Sequence, residues 1–256
     1  MSSGEDFVAV EEPLEVRIHG RPYAVLLRLP GREEDLIAGF LAAEGILREA
    51  EDLAGIAACP EAGSGRPATN VWNAVLRAGL SWKAERRTAE GPLAASCGLC
   101  GVRSLEDLEP RLPPRAPAPA PGELAAGLGA WLGEMEAQQA VFQRTGGTHA
   151  AALLERDQAG EWRWLDLAED VGRHNAVDKV FGARLRGGRW PLRRPSLLLV
   201  SGRISFEIMQ KAALAGVPAV AGISAPTSLA VAAARRYGQI LLGMARAGRA
   251  ALYAAP

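Results

Sequence analysis

The chain has 256 residues, 48% of them hydrophobic, which is enough apolar material for one large domain or two modest ones. Its 29 Lys and Arg residues balance 29 Asp and Glu, so no global field draws it to nucleic acid or to a membrane surface, and any anion site is local. Three cysteines containing one close pair exclude a disulfide framework, no apolar run reaches the roughly 18 residues of a membrane span, and the N-terminus lacks the pattern of a signal peptide, so a cytoplasmic protein is expected.

In chain order, residues 14–18 alternate apolar and polar, a His19-Gly20-Arg21-Pro22 turn follows, and residues 23–29 continue the pattern, which predicts a β-hairpin. The period then changes. Glu33, Glu34 and Asp35 suit a first helical turn, Leu36, Ile37, Phe40, Leu41 and Glu44 follow at helical spacing, and Gly45 stops the helix. Strand-like runs at residues 53–58 and 71–76 flank a loop rich in glycine and proline, with Cys59 at its start as an incidental small residue. Residues 1–110 read as a small N-terminal α+β domain that ends in a cysteine loop.

That loop is Ala95-Ser96-Cys97-Gly98-Leu99-Cys100-Gly101. Its spacing lets both sulfurs face one reaction centre, and Gly98 and Gly101 favour a loop over a helix interior. Reactivity at such a pair depends on the thiolate, which Arg103 favours, as does a helix N-terminus with Ser104 as N-cap and Glu106 and Asp107 in its first turn. A structural zinc needs four ligands, and Cys59, His19, His149 and His174 are scattered, so no structural metal is expected. A thioredoxin-like pair directly follows a strand, whereas this one follows Gly91-Pro92 and small residues. Redox chemistry stays open.

The proline-rich residues 111–121 read as an extended spacer in preference to an SH3-type ligand. Residues 122–256 then form a second, α/β domain. Leu124, Leu128, Trp131, Leu132, Met135 and Phe142 mark an amphipathic helix leading to Thr145-Gly146-Gly147-Thr148-His149 and a hairpin over residues 150–154 and 162–167. In the helix that follows, Val177, Val180 and Phe181 mark the buried side, with the polar residues on the other. His174 and Asp178, four apart, are on one reading a surface pair worth about a few tenths of a kcal/mol. The density of Arg173, His174, Asn175, Asp178 and Lys179 in one short helix equally suggests function.

The remainder alternates as α/β chains do, with strands at 196–200, 219–223, 239–242 and 250–253 and helices at 206–215 and 228–237. The loops Ser201-Gly202-Arg203-Ile204-Ser205 and Ser224-Ala225-Pro226-Thr227-Ser228 lie between strand and helix, where backbone N–H groups, Arg203 and Ser205 suit a phosphate. Neither matches a Walker A or G-x-G-x-x-G pattern, and ordinary helix capping explains each equally well.

Seven ordered motifs resemble the formate dehydrogenase accessory sulfurtransferase family, FdhD or NarQ: E-E-P-L-E-V-R-I from Glu11, G-F-L-A-A-E-G-I-L from Gly39, S-C-G-L-C-G from Ser96, T-G-G-T-H-A-A from Thr145, E-D-V-G-R-H-N-A-V-D-K from Glu169, S-G-R-I-S-F-E from Ser201 and S-A-P-T-S-L-A-V from Ser224. The resemblance implies a sulfurtransferase that accepts sulfane sulfur from a cysteine desulfurase and holds it as a persulfide on Cys97. It then passes the sulfur to a molybdenum (or tungsten) bis-guanine-dinucleotide cofactor, bound as substrate and destined for apo-formate dehydrogenase. Cys100 is expected to assist, to resolve the persulfide or to relay sulfur. The implied fold class is α/β: a small N-terminal α+β domain plus a cytidine-deaminase-like three-layer α/β domain. Deaminase chemistry does not follow, because His149 is followed by Ala150 and Ala151, and Cys97 by Gly98 and Leu99, where a zinc deaminase needs its glutamate.

The resemblance also places the cofactor's guanine dinucleotide end on Met244, Ala245, Arg246, Ala247, Gly248 and Arg249, read as a turn between a strand ending at Leu242 and the last strand. Arg203 and His174 are weaker candidates from neighbouring loops. A homodimer is expected, with no nucleic-acid or membrane partner. The alternative reading is a chaperone that binds the cofactor and docks on apo-formate dehydrogenase without persulfide chemistry.

Overall fold

A computed structural model describes residues 6–60, 67–80, 82, 112–246 and 249–256. The loop with Cys97 and Cys100, the helix expected at Ser104, and Ala247 and Gly248 of the expected cofactor segment lie outside the described residues.

The first sheet has the order β2-β1-β4-β3, built from β1 (Glu12–Ile18), β2 (Arg21–Arg28), β3 (Leu53–Pro60) and β4 (Pro67–Leu76). The β1–β2 turn is tight because His19 and Gly20 both take positive φ, 50° and 78°, which matches the twist of a two-residue hairpin. β4 runs parallel to β1 and closes the sheet against antiparallel β3. Helix α1 (Glu33–Ala43) lays Leu36, Ile37, Phe40 and Leu41 onto Leu14, Val16, Ile18 and Leu26. Each fully buried side chain of this size contributes roughly 1.5–3 kcal/mol.

The second sheet is six-stranded, in the order β10-β9-β8-β7-β5-β6. Its members are β5 (His149–Arg156), β6 (Trp162–Asp170), β7 (Ser196–Val200), β8 (Ala219–Gly222), β9 (Ile240–Arg246) and β10 (Arg249–Ala254). β7, β8 and β9 are mutually parallel, while β5, β6 and β10 are antiparallel to their neighbours. The period of two sends Leu198, Val200, Val220 and Leu241 to one face, under α4 (Arg173–Arg186), α5 (Phe206–Leu214) and α6 (Ser228–Tyr237). Leu197, Leu199, Ala221 and Leu242 face the other way, under α2 (Pro121–Gln138). The result is the three-layer α/β arrangement that the resemblance implies. Gln139 breaks the expected long helix, so Phe142 belongs to a separate short helix, α3 (Ala140–Thr145), and is 40% exposed. The extended residues 112–120 run past the turns that follow α5 and α6, where the Ala116 N–H donates to Gly216 O at 3.2 Å and Arg115 Nη1 donates to Tyr237 O at 3.3 Å.

α1 and α4 pack against each other through glycines. A Cβ on Gly39 would strike the Asp178 carbonyl, and one on Gly182 would strike that of Asp35, so the helix backbones touch where no side chain fits. This crossing joins the two sheets.

The polar residues at the start of α4 are not on a solvated face. His174, Asn175, Asp178 and Lys179 are all buried, which corrects the expected surface pair of His174 and Asp178. Asn175 Nδ2 donates to Leu27 O at 2.7 Å and to Asp170 Oδ1 at 2.9 Å, and the Leu29 N–H donates to Asp170 Oδ2 at 3.2 Å. Lys179 Nζ pairs with Asp170 at 2.7 Å and donates to Leu29 O at 3.0 Å. These groups hold the loop between β2 and α1. Arg32, the left-handed N-cap residue of α1, reinforces them by donating to both Asp166 oxygens and to Leu167 O at 2.8 Å.

Candidate functional site

The parallel strands β7, β8 and β9 end at one sheet edge, which is where open α/β sheets present their loops to a ligand. After β7 and β8, residues 201–205 and 223–227 run side by side, joined by an Ile204–Pro226 bridge and by the Thr227 N–H donating to Ile204 O at 2.9 Å. Antiparallel β5 begins at the same edge with His149, and β6 ends there with Asp170, directly opposite in register. The N-termini of α4 and α5 add Arg173, His174, Ser205 and Glu207. Gly202 permits the close approach, since a Cβ there would lie 3.4 Å from His149 Nδ1 and 3.5 Å from the Arg173 side chain. The Ala150 N–H donates to Ser201 Oγ at 2.8 Å and fixes the first residue of the loop.

Electrostatics at this edge favour neutral imidazoles. Burial first, then Arg173 and Arg203, hold the pKa of His149 below its ordinary value. Burial lowers His174 to about 3, helped by Lys211, Arg173 and His149. Burial raises Glu207 to about 7, with Lys211 opposing and Asp178 reinforcing. Glu207 Oε2 lies 3.2 Å from His174 Nε2, and because burial pushes both groups towards their neutral forms the contact is not an ion pair. Behind it, Asp178 is raised to about 6 by burial, against the pull of Lys211, whose Nζ donates to both carboxylate oxygens at 2.6 and 2.8 Å.

Several polar atoms here are buried without a hydrogen-bond partner among the described residues: Arg173 Nε, both ring nitrogens of His174, Ser205 Oγ and Glu207 Oε1. Each unsatisfied group of this kind costs about 1–3 kcal/mol. Their concentration at the ends of two neighbouring helices marks this edge as built to meet a polar ligand.

The third parallel strand brings in the C-terminal segment. β9 continues to Arg246, so Met244, Ala245 and Arg246 lie on a strand, which corrects the expected turn after Leu242. Met244 adopts φ 52° and its N–H donates to Ser224 O at 3.1 Å, so the strand bends beside the β8 loop. The fit is close, because a Cβ on Gly243 would lie 2.7 Å from Pro226 Cδ. Arg246 Nη1 donates to Ile223 O at 2.5 Å and to Ala245 O at 2.8 Å, and Arg249 opens β10 directly opposite Arg246. Arg203 follows β7 and Arg246 ends β9, so both stand at the same edge, flanking the loop that follows β8.

Residues 9–256 match the sequence pattern of the FdhD/NarQ family. The chain belongs to this family. It is 47% identical to a protein named sulfur carrier protein FdhD from Anaeromyxobacter dehalogenans (strain 2CP-C), over 97% of this chain and 87% of that one. A protein of the same name from Streptomyces avermitilis is 42% identical over 99% of this chain and 89% of its own. The fold is similar to the crystal structure of a formate dehydrogenase accessory protein from Desulfotalea psychrophila, with a TM-score of 0.73 and 25% identity over 98% of this chain and 90% of that one.

Sequence reasoning singled out His149, His174 and Arg203 but missed Glu207 and Lys211. The missed signal is a matched spacing: His174 and Asp178 are four apart on α4, Glu207 and Lys211 are four apart on α5, and each set carries the partner of the other. No group of three or more His, Cys, Asp or Glu among the described residues is arranged to hold a metal ion, and no helix among them is long and apolar enough to cross a membrane. Cys59, at the end of β3, is a free thiol.

Proposed function

We propose that this chain is a sulfur carrier that moves persulfide sulfur from a cysteine desulfurase to a molybdenum (or tungsten) bis-guanine-dinucleotide cofactor destined for formate dehydrogenase. The observation that carries the reading is the family match over nearly the whole chain, which spans the S-C-G-L-C-G motif and relatives named as sulfur carriers. In the first step the Cys97 thiolate attacks the terminal sulfur of the donor persulfide. A new S–S bond forms on Cys97, the donor S–S bond breaks, and the donor cysteine leaves as thiolate, with no net oxidation. Cys100, three positions on in the sequence, assists the transfer, resolves the persulfide or relays the sulfur.

The cofactor is the substrate of this transfer. Its guanine dinucleotide end is assigned to the segment from Met244 through Ala245, Arg246, Ala247 and Gly248 to Arg249. Arg203 and the neutral His174 approach its phosphates from the neighbouring loops. The unpartnered polar atoms at this sheet edge support that assignment, since donors held in a low-dielectric setting recognise phosphate without reorganising. The partners are a cysteine desulfurase and apo-formate dehydrogenase, the working form is a homodimer, and the compartment is the cytoplasm.

The test is a reconstituted transfer with purified chain, desulfurase, isotopically labelled cysteine and apo-formate dehydrogenase loaded with desulfo cofactor. Label that first appears on the chain and then moves to the cofactor as activity rises is the expected result. Activation with no label ever on the chain would replace the sulfur carrier by a cofactor chaperone.

A further inference from the structure

The opposite end of the second sheet carries a different concentration of charge. Arg184 on the last turn of α4 and Arg189, Arg193 and Arg194 on the loop leading into β7 line one cavity of about 590 Å³, together with Trp190 and Glu155. None of these four guanidinium groups forms an ion pair or a side-chain hydrogen bond among the described residues, and Arg184 Nε is buried without a partner. Arg28, Arg32, Arg156 and Arg186, by contrast, each hold a carboxylate. The cluster is therefore a local excess in a chain whose formal net charge is zero.

The energetics point to an absent anion. Burial, followed by the charge of Arg189, pushes the pKa of Arg184 below its ordinary value, so the cationic form is disfavoured as the cavity stands. Four guanidiniums face Glu155, and the Asp166 carboxylate, whose charge also reaches Arg184, is already held by Arg32, so positive charge stays in excess and suits a polyanion such as a diphosphate. Guanidinium forks match phosphate oxygens bidentately, and the cleft, open to solvent on one side, is wide enough to admit a small anion. Trp190 gives it a fixed wall, since its ring packs 5.7 Å from that of Phe181.

We propose that this arginine-lined cavity between α4 and β7 is a binding site for a small diphosphate anion, separate from the site at the opposite sheet edge. The diphosphate comes either as free pyrophosphate or as the diphosphate of a nucleotide, and the shared group is what the arginines read. The proposal does not depend on the sulfur-carrier reading.

The experiment is titration calorimetry of the full chain with inorganic pyrophosphate, orthophosphate, GDP and a tetraglutamate peptide at fixed ionic strength. Pyrophosphate is expected to bind at least about tenfold more tightly than orthophosphate. A triple variant, Arg189→Gln with Arg193→Gln and Arg194→Gln, is expected to weaken pyrophosphate at least about tenfold, all three positions being exposed and outside the core. The loss is expected to persist when the triple variant is made in an Arg246→Ala, Arg249→Ala background, which removes the opposite sheet edge from the titration. GDP displacing pyrophosphate from the wild-type cavity identifies a nucleotide as source, and independent binding of the two identifies the free anion. Unchanged affinity in the triple variant, loss only in the Arg246 and Arg249 variant, equal binding of the two inorganic anions, or tighter binding of the acidic peptide would each overturn the proposal.

Discussion

At the scale of single residues, Glu207 is a carboxyl group at the site whose ionisation the fold alters strongly. Its pKa is raised to about 7 from an ordinary 4.5, so folding takes up a proton between those values and Glu207 removes stability as pH rises through that window. His174, lowered to about 3 from 6.5, acts in the opposite sense between those values, and the two slopes cancel where they overlap, from about 4.5 to 6.5. Glu207→Gln keeps the shape and removes the ionisation. In urea melts it is expected to gain stability over wild type on the order of 1–3 kcal/mol more at pH 8 than at pH 4. A difference between the two proteins that does not change with pH would refute the assigned shift.

Also at this scale, Arg246 and Arg249 face each other across β9 and β10, with Arg246 already held on the Ile223 carbonyl. Calorimetry with GDP and ADP is expected to show preferential binding of GDP by the wild type, and a loss of about tenfold or more in the Arg246→Ala, Arg249→Ala variant. Equal binding of both nucleotides, or unchanged GDP affinity in the variant, would remove the guanine site from this segment. The candidate residues were legible in sequence because arginine, histidine and glycine gathered after strand-like runs. Glu207 and Lys211 were not, because their partners sit on another helix about 30 residues away in the chain.

At the scale of elements, the contact between α1 and α4 relies on absent side chains. Gly182→Ala places a methyl against the Asp35 carbonyl, which belongs to backbone and cannot swing aside, so a loss of about 1–3 kcal/mol or more is expected in chemical denaturation. Gly133 on α2 is exposed and a Cβ there would meet nothing within 4 Å, so Gly133→Ala is expected to stabilise by about 0.5–1 kcal/mol. The same sign for both substitutions would contradict the packing described. Strands β1, β2 and β7 and helices α1, α5 and α6 were readable from hydrophobic period alone, since their partners are apolar and non-specific. In helix α4 the apolar side was readable and the burial of the polar side was not. Its polar side chains look solvent-facing by period, yet Asn175 and Lys179 satisfy backbone groups of Leu27 and Leu29, and no local pattern reports a partner about 150 residues away. The extension of β9 was hidden for a similar reason, because Met244 to Arg246 are held by the β8 loop.

For the whole molecule, the alternation of strands and helices after residue 149 made the α/β class legible and the resemblance implied its three layers, whereas the strand order followed from neither. Sheet order depends on which strands share a buried face, and that is settled by packing across the molecule. The parallel β1–β4 pairing and the polar clamp around Asp170 were equally invisible, though together with the α1–α4 contact they decide how the first sheet sits against the second. The site at the C-terminal edge of β7, β8 and β9 follows from this order, because it sets the Arg203 loop, the β8 loop and the Met244 segment side by side.

The central claim, that the chain carries sulfur on Cys97, is tested most directly by peptide mass mapping after incubation with a cysteine desulfurase and cysteine. A mass increase of one sulfur atom is expected on the peptide containing Cys97. Cys97→Ala is expected to abolish both loading and activation of formate dehydrogenase, with Cys100→Ala reducing them. Loading and activation that survive in Cys97→Ala would contradict the account.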